Sequence, residues 1–252
     1  MMLLDVGNSS VKWAIESHGE LKSSGRFFHH AGGFTRSADR AWEGMPAPRV
    51  CAIASVAGAV MEQEITAWVE KTWHIAPCYI RVEPRAAGVT NAYRAPGMLG
   101  VDRWAGIVAA YHGSKKSVCV IDCGTAITID VVDAAGIHQG GLIAPGIDMM
   151  RRSLAQDTAA IGPVSHETGE SPPQLARDTT GCVNSGVMHM AGALIDRITG
   201  DAAKRCDGNL QAVITGGDAG RILPVLRHPP RHDRDLVLKG VAILARETLC
   251  GT

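Results

Sequence analysis

The chain has 252 residues, 46% of them hydrophobic and 20% charged, the make-up of one large or two ordinary folded domains rather than of a disordered chain. Lys+Arg and Asp+Glu both number 25, so the formal net charge is +0 and a strongly basic nucleic-acid binder is disfavoured. The N-terminus has no basic region and Asp5 breaks its apolar run, so it does not read as a signal peptide, and no window reaches the ~18 apolar residues of a membrane span.

The seven cysteines form no CxxC pair and are odd in number. With no secretory signal they read as small buried or half-buried side chains rather than as a disulfide framework or a zinc site, and a cytoplasmic protein is expected.

Along the chain, Leu3-Leu4-Asp5-Val6-Gly7-Asn8 and Val120-Ile121-Asp122-Cys123-Gly124-Thr125 are alike: an apolar strand ends in Asp-x-Gly and a second, alternating strand follows at once. The two lie about half the chain apart. Each continues into a Gly-punctuated third strand, at 18–28 and at 136–143, so two β-meanders open with the same acidic turn. In the first half a buried strand is expected at 50–55, a helix at 62–72, a short strand at 79–82 and a helix at 103–111. Ser114-Lys115-Lys116-Ser117 is a polar break, and domains are expected at 1–116 and 117–252. In the second half the pattern predicts a helix at 149–155, a polar loop at 162–173, a small-residue-rich helix at 183–198, a strand at 210–215 and a closing helix at 235–249. The class is α/β, with a duplicated βββαβα unit and a cleft between the halves.

A strand that ends in Asp-x-Gly and reverses presents a carboxylate beside backbone N–H groups, an anion-binding concavity with a place for Mg²⁺ or another cation. Lys12 could reach a phosphate as a point charge. One such turn reads equally as a plain hairpin; two in equivalent positions point to a nucleotide's phosphate tail. A strand running into Gly216-Gly217-Asp218 suits close approach of adenine or ribose, although Asp218 also fits a simple helix N-cap. No GxxxxGK[ST] is present, so the chain is not a P-loop enzyme. Tyr93 and the Pro/Gly loop after it lead to Gly100-x-Asp102-Arg103 at a helix start. There a carboxylate able to accept a hydroxyl proton adjoins a guanidinium able to hold a carboxylate. The glycine-rich run at 140–146 suits the lining of a small-molecule pocket. His29-His30 and the 227–234 stretch read as exposed polar loops with no metal-site spacing.

Together these residues resemble the type III pantothenate kinases of the acetate and sugar kinase/Hsc70/actin superfamily, a resemblance that covers nearly the whole chain. It implies two ribonuclease-H-like (actin-like ATPase) domains and transfer of phosphate from ATP, with Mg²⁺, to pantothenate, the first step of coenzyme A biosynthesis. Asp5, Gly7, Asn8 and Ser9, with Lys12, match the first phosphate loop; Ser9 stands where many members have Thr. Asp122, Gly124 and Thr125 match the second loop, and Asp122 also matches a carboxylate linked to a required monovalent cation, K⁺ or NH₄⁺. Gly216 and Gly217 match the adenosine-side loop. Asp102 matches the catalytic base, Arg103 the residue that holds the pantothenate carboxylate, and Tyr93 and Gly100 pocket residues. Thr179 matches a threonine reaching pantothenate from the partner subunit of a homodimer. Asp178-Thr179 stands where Asn-Thr is common, and Thr180 follows directly, leaving the choice between the two threonines open. Chains of this family are also similar to the Bvg accessory factor, which keeps open a non-catalytic regulatory role, as the superfamily keeps open another acceptor alcohol.

Overall fold

The apolar run at the N-terminus forms the central strand of a sheet. In the computed structural model, which describes residues 1–29, 33–164 and 173–250, β1 (Met2–Val6) reverses at Gly7 into β2 (Ser10–Ser17), and β3 (Glu20–Phe28) pairs antiparallel with β2. Helix α1 (Gly33–Ala41) leads to β4 (Cys51–Ser55), parallel to β1, and α2 (Ala59–Trp73) leads to the short β5 (Cys78–Tyr79), parallel to β4. The strand order is β3-β2-β1-β4-β5. Because side chains alternate along a strand, Leu4 and Val6 share one face with Val11, Trp13 and Ile53. That face packs on Phe34 of α1, on Trp68 and Trp73 of α2 and on Trp42 between the helices. The rings meet edge-on or tilted, with Trp68 and Trp73 centroids 4.9 Å apart. A small hairpin, β6 (Arg85–Ala86) and β7 (Val89–Thr90), and a 3-10 turn at Pro96–Met98 precede α3 (Val101–Ser114).

The second half repeats the scheme. β8 (Ser117–Cys123), β9 (Ala126–Val132) and β10 (His138–Pro145) form an antiparallel meander. Helices α4 (Ile147–Asp157) and α5 (Thr179–Arg205) follow, then β11 (Leu210–Thr215), α6 (Ala219–Ile222), β12 (Arg231–His232) and α7 (Leu236–Cys250). The order β10-β9-β8-β11-β12 repeats the first sheet, with β11 parallel to β8 and to β12. Ile121, Cys123, Ile127 and Ile129 pack against Ile147 of α4 and Val187, Met188 and Ile195 of α5.

Contacts divide the chain into one unit of Met1–Gly113 with Asp235–Thr252 and a second of Ser114–Arg234. The closing helix thus departs from the expected division at 116/117: α7 packs on β1, β2 and β4 of the first sheet. It buries Leu236, Val237, Leu238, Val241 and Ala245, and Arg246 donates to Glu16 of β2 at 2.9 Å. Helix α1 had no counterpart among the sequence expectations, for its nine residues have a low mean hydropathy and bury only Phe34 and Ala38. The 227–234 stretch is not simply an exposed loop, since it contains β12 and the buried Asp233, which pairs with Arg231 at 3.1 Å. Cys182 is exposed, unlike the other described cysteines. Residues 165–172 of the loop expected at 162–173, together with His30, lie outside the described residues. No helix among the described residues is long and apolar enough to cross a membrane.

Gly240 of α7 lies against the backbone of Ala105 in α3, where even a methyl group would collide with main-chain atoms. Gly240→Val should therefore destabilise the first unit by about 2 kcal/mol or more, the cost of forcing volume into a packed core. Chemical denaturation would read this as a lower midpoint, and an unchanged midpoint would contradict the packing.

Candidate active site

In the first unit the hairpin register fixes the acidic turn. Asp5 pairs with Lys12 across β1 and β2, and Gly7 N–H donates to the Ser10 carbonyl at 3.0 Å to close the reversal. Since Leu4 and Val6 face the core, Asp5 faces the other way. Its side chain is 12% exposed and its Oδ2 lies 3.9 Å from Lys12 Nζ. Asn8 is exposed, and Gly7 and Ser9 are partly so. A Cβ added at Gly7 would make only ordinary contact, 3.6 Å from the Ser10 carbonyl oxygen. The protein itself leaves that space open, which is what close approach of a ligand to the main chain requires.

His29 was expected in an exposed loop; it is instead 8% exposed, and its Nε2 donates to the Gly7 carbonyl at 3.0 Å. Nε2 therefore carries the proton. His29 braces the turn from the end of β3, a role that no local sequence signal announces because its partner lies 22 residues earlier.

The second group in this unit sits at the start of α3. Trp104 N–H donates to the Gly100 carbonyl at 2.9 Å, opening the helix, and Asp102 Oδ1 accepts the Arg103 N–H at 2.7 Å. A Cβ at Gly100 would come within 2.6 Å of Asp102 Oδ1, so glycine is what lets the carboxylate fold back over the helix start. Arg103 is 8% exposed; its Nη1 donates to the Tyr93 hydroxyl at 2.8 Å, and its guanidinium lies 5.7 Å from the ring centroid. Tyr93 is held by its own N–H to Asn91 Oδ1 at 2.9 Å. Tyr93, Gly100, Asp102 and Arg103 are thus one cluster.

In the second unit, Asp122 is the penultimate residue of β8. Ile121 and Cys123 face the core, so Asp122 faces away, paired with Thr128 on β9 and Thr215 on β11. Gly124 N–H donates to the Ala126 carbonyl at 3.0 Å, and Thr125 is exposed. A Cβ at Gly124 would again meet only ordinary contacts, Asp122 Oδ1 being 3.6 Å away. Gly216 differs: its φ is +97°, and a side chain there would strike the Cys123 carbonyl and come within 2.5 Å of Asp122 Oδ1. Asp218 N–H donates to that same carbonyl at 2.9 Å, binding the Gly216–Gly217 loop to the second turn.

Asp218 stands at the N-cap of α6 without a capping side-chain bond; its carboxylate instead accepts from Arg221 Nη1 at 3.0 Å. Arg221 also lies 3.9 Å from Asp148 Oδ1, which accepts from the buried Arg151 at 3.3 Å. Burial, and then the neighbouring Arg221, hold the Arg151 guanidinium below its ordinary value. Thr179 and Thr180 are exposed at the first turn of α5, where Asp178 Oδ1 caps the helix through Gly181 N–H at 2.8 Å. Among the described hydrogen bonds and ion pairs, none joins Thr179 to the second turn. Leu154, Ile161, Val183 and Met190 line a surface cavity beside it.

The chemistry of the donors fits the cations expected here. Asp5 and Asp122 offer hard carboxylate oxygens, and no group of three His, Cys, Asp or Glu among the described residues forms a closed cage. Mg²⁺ held chiefly by phosphate oxygens and water needs no such cage.

Two sheets of identical order, each opened by an Asp-x-Gly hairpin, are the architecture shared by the actin-like ATPases and sugar kinases. A ROK hexokinase from Thermus thermophilus superposes with a TM-score of 0.54 at 15% identity, covering 100% of both chains. A protein from Campylobacter jejuni described as a Baf family transcriptional activator gives 0.60 at 20% identity, over 99% of this chain and 100% of the other. At such identities the likeness concerns the fold alone. The type III pantothenate kinase model matches residues 1–201. A type III pantothenate kinase of Nitrosococcus oceani is 41% identical over 255 residues, covering 98% of this chain and 94% of its own. One from Burkholderia mallei is 34% identical over 258 residues, covering 97% and 98%. The chain belongs to the type III pantothenate kinase family, enzymes that phosphorylate pantothenate with ATP in coenzyme A biosynthesis.

Burial raises the thiols of Cys51 and Cys119 to about 12, and burial followed by Asp122 and Asp218 raises that of Cys123. A thiol with a raised value stays protonated, and unreactive, at every pH below that value. At pH 8 an alkylating reagent should label the exposed Cys182 of the native protein and spare these three, with mass mapping as the readout. Modification of Cys123 as fast as Cys182 would contradict the burial of Cys123.

Proposed function

We propose that ATP and pantothenate become ADP and 4′-phosphopantothenate with Asp102 as general base. The observation that carries this reading is the first turn of α3, where a partly exposed carboxylate and a buried, Tyr93-held guanidinium sit on consecutive residues. Arg103 clamps the pantothenate carboxylate, while Tyr93 and Gly100 line its pocket. Asp102 then takes the proton of the 4′-hydroxyl as that oxygen bonds to the γ-phosphorus, and the bond to the β-phosphate oxygen breaks with its electron pair leaving on ADP. Phosphoryl transfer needs little else than in-line positioning and charge stabilisation.

The N–H groups around Gly7, Asn8 and Ser9, with Lys12, receive the phosphates at the first turn, and Gly124 and Thr125 do so at the second. Gly216 and Gly217 lie on the adenosine side. Asp5 and Asp122 suit Mg²⁺, which supplies charge neutralisation on the phosphates when bound. Asp122 also suits the monovalent cation. Thr179, exposed beside an apolar cavity, belongs in this reading to a homodimer in which it reaches the partner subunit's pantothenate.

ADP release should depend on pantothenate in the presence of Mg²⁺ and K⁺, fall when Na⁺ replaces K⁺, and drop about 10²-fold or more in kcat on Asp102→Asn. Unchanged turnover in that variant would remove Asp102 from the base role. No release from a folded protein would favour another acceptor alcohol or the regulatory role.

Tyr93→Phe frees one donor of Arg103 without emptying the pocket. It should raise KM for pantothenate by about three- to tenfold with kcat nearly unchanged, because a carboxylate clamp binds ground and transition states alike. A fall in kcat at constant KM would place Arg103 in the chemical step instead.

A further inference from the structure

The row of side chains that begins at Asp5 does not end at Lys12. The register pairs Asp5 with Lys12 and Lys12 with Arg26, so three strands carry a carboxylate, an ammonium and a guanidinium on one face. Directly opposed like charges on neighbouring strands are destabilising. The lone carboxylate of the row is also the far member: Lys12 Nζ is 3.9 Å from Asp5, and Arg26 stands beyond Lys12. Arg26 Nε donates to Ser10 Oγ at 3.0 Å, and its guanidinium lies 4.7 Å above the Phe28 ring, both neutral partners. Ser10 and Phe28 are themselves a cross-strand pair, two residues along on the same face. Ser10 opens β2, and its carbonyl closes the Gly7 reversal. An arginine is therefore tethered to the residue that shapes the first phosphate turn, and no ion pair joins it to a carboxylate among the described residues.

We propose that Arg26 is a polyphosphate-binding residue that works with Lys12 to hold the phosphate tail of the nucleoside triphosphate at the first turn. An anion there relieves the repulsion between the two cations, and the planar guanidinium can take two phosphate oxygens at once where an ammonium gives a point charge. Ser10 of β2 and Phe28 of β3 hold the side chain between them, which lowers the entropy lost on binding. This rests on the reading of the first Asp-x-Gly turn as a phosphate loop.

The test is calorimetric binding of ATP, inorganic tripolyphosphate and adenosine to the full chain, alongside pantothenate-dependent turnover. Arg26→Gln should weaken ATP and tripolyphosphate binding by about tenfold, leave adenosine unaffected and raise KM for ATP more than it lowers kcat. Arg26→Lys, which keeps the charge but not the two-pronged contact, should recover only part of the loss. Arg26 is exposed on an outer strand, so an unchanged melting temperature checks that the fold survives. ATP and tripolyphosphate binding to Arg26→Gln within about twofold of the wild type would overturn the inference, and would leave the kinase reading intact if the wild type phosphorylates pantothenate. Weakened tripolyphosphate binding in a protein that never turns over pantothenate would uphold the anion site and overturn the kinase reading.

Discussion

The two-residue period of the β-strand is the constraint on which the site depends. In β1 the core takes Leu4 and Val6, and in β8 it takes Ile121 and Cys123. The intervening aspartate must then point to the opposite face, whatever its chemistry. A slip of one residue in either hairpin would drive a carboxylate into an apolar core and bring a leucine or an isoleucine to the turn. The aromatic cluster around Trp42 and the aliphatic packing beneath α5 are therefore more than stability. They lock the parity that keeps Asp5 and Asp122 beside their glycine turns.

Around that parity the two turns are braced differently. The first is held from outside, by the His29 imidazole on the Gly7 carbonyl. The second is held by main chain, with the Asp218 N–H on the Cys123 carbonyl and Gly216 pressed against the same strand end. Charge follows the same division. Asp5 leans toward Lys12, while Asp148, Arg151, Asp218 and Arg221 form a chain of alternating charge that links α4 to α6. Equal numbers of acids and bases in that chain let Arg151 be buried without a stranded charge, since each guanidinium meets a carboxylate.

Much of this was legible in the sequence, because it was written locally. The duplicated Asp-x-Gly hairpins, the β11 strand and the Gly100-x-Asp102-Arg103 helix start are short-range patterns, and these formed within a few residues of their expected spans, whereas α5 runs seven residues past its expected end. What was hidden depends on distant partners. His29 looked like one of two loop histidines, and only the return of β3 beside Gly7 buries it. Arg26 carried no motif, since its meaning lies in a cross-strand register. Helix α1 is mostly polar and is ordered by Phe34 and by Trp68, whose indole donates to Asp39 at 2.7 Å. The position of α7 could not be read from order along the chain, because its partners, β1, β2, β4 and Ala105 of α3, lie more than 100 residues earlier.

That last placement bears on how the protein comes into being. The helix that packs on β1, β2 and β4 follows the whole of Ser114–Arg234 in the chain. On a ribosome adding about 5–20 residues per second, the first sheet waits for many seconds with one flank bare while the second unit is made and can fold. Domains usually mature in the order of synthesis; here the unit begun first is finished last. The apolar faces of β1, β2 and β4 that α7 covers thus stay without that cover until Leu236–Cys250 has been made.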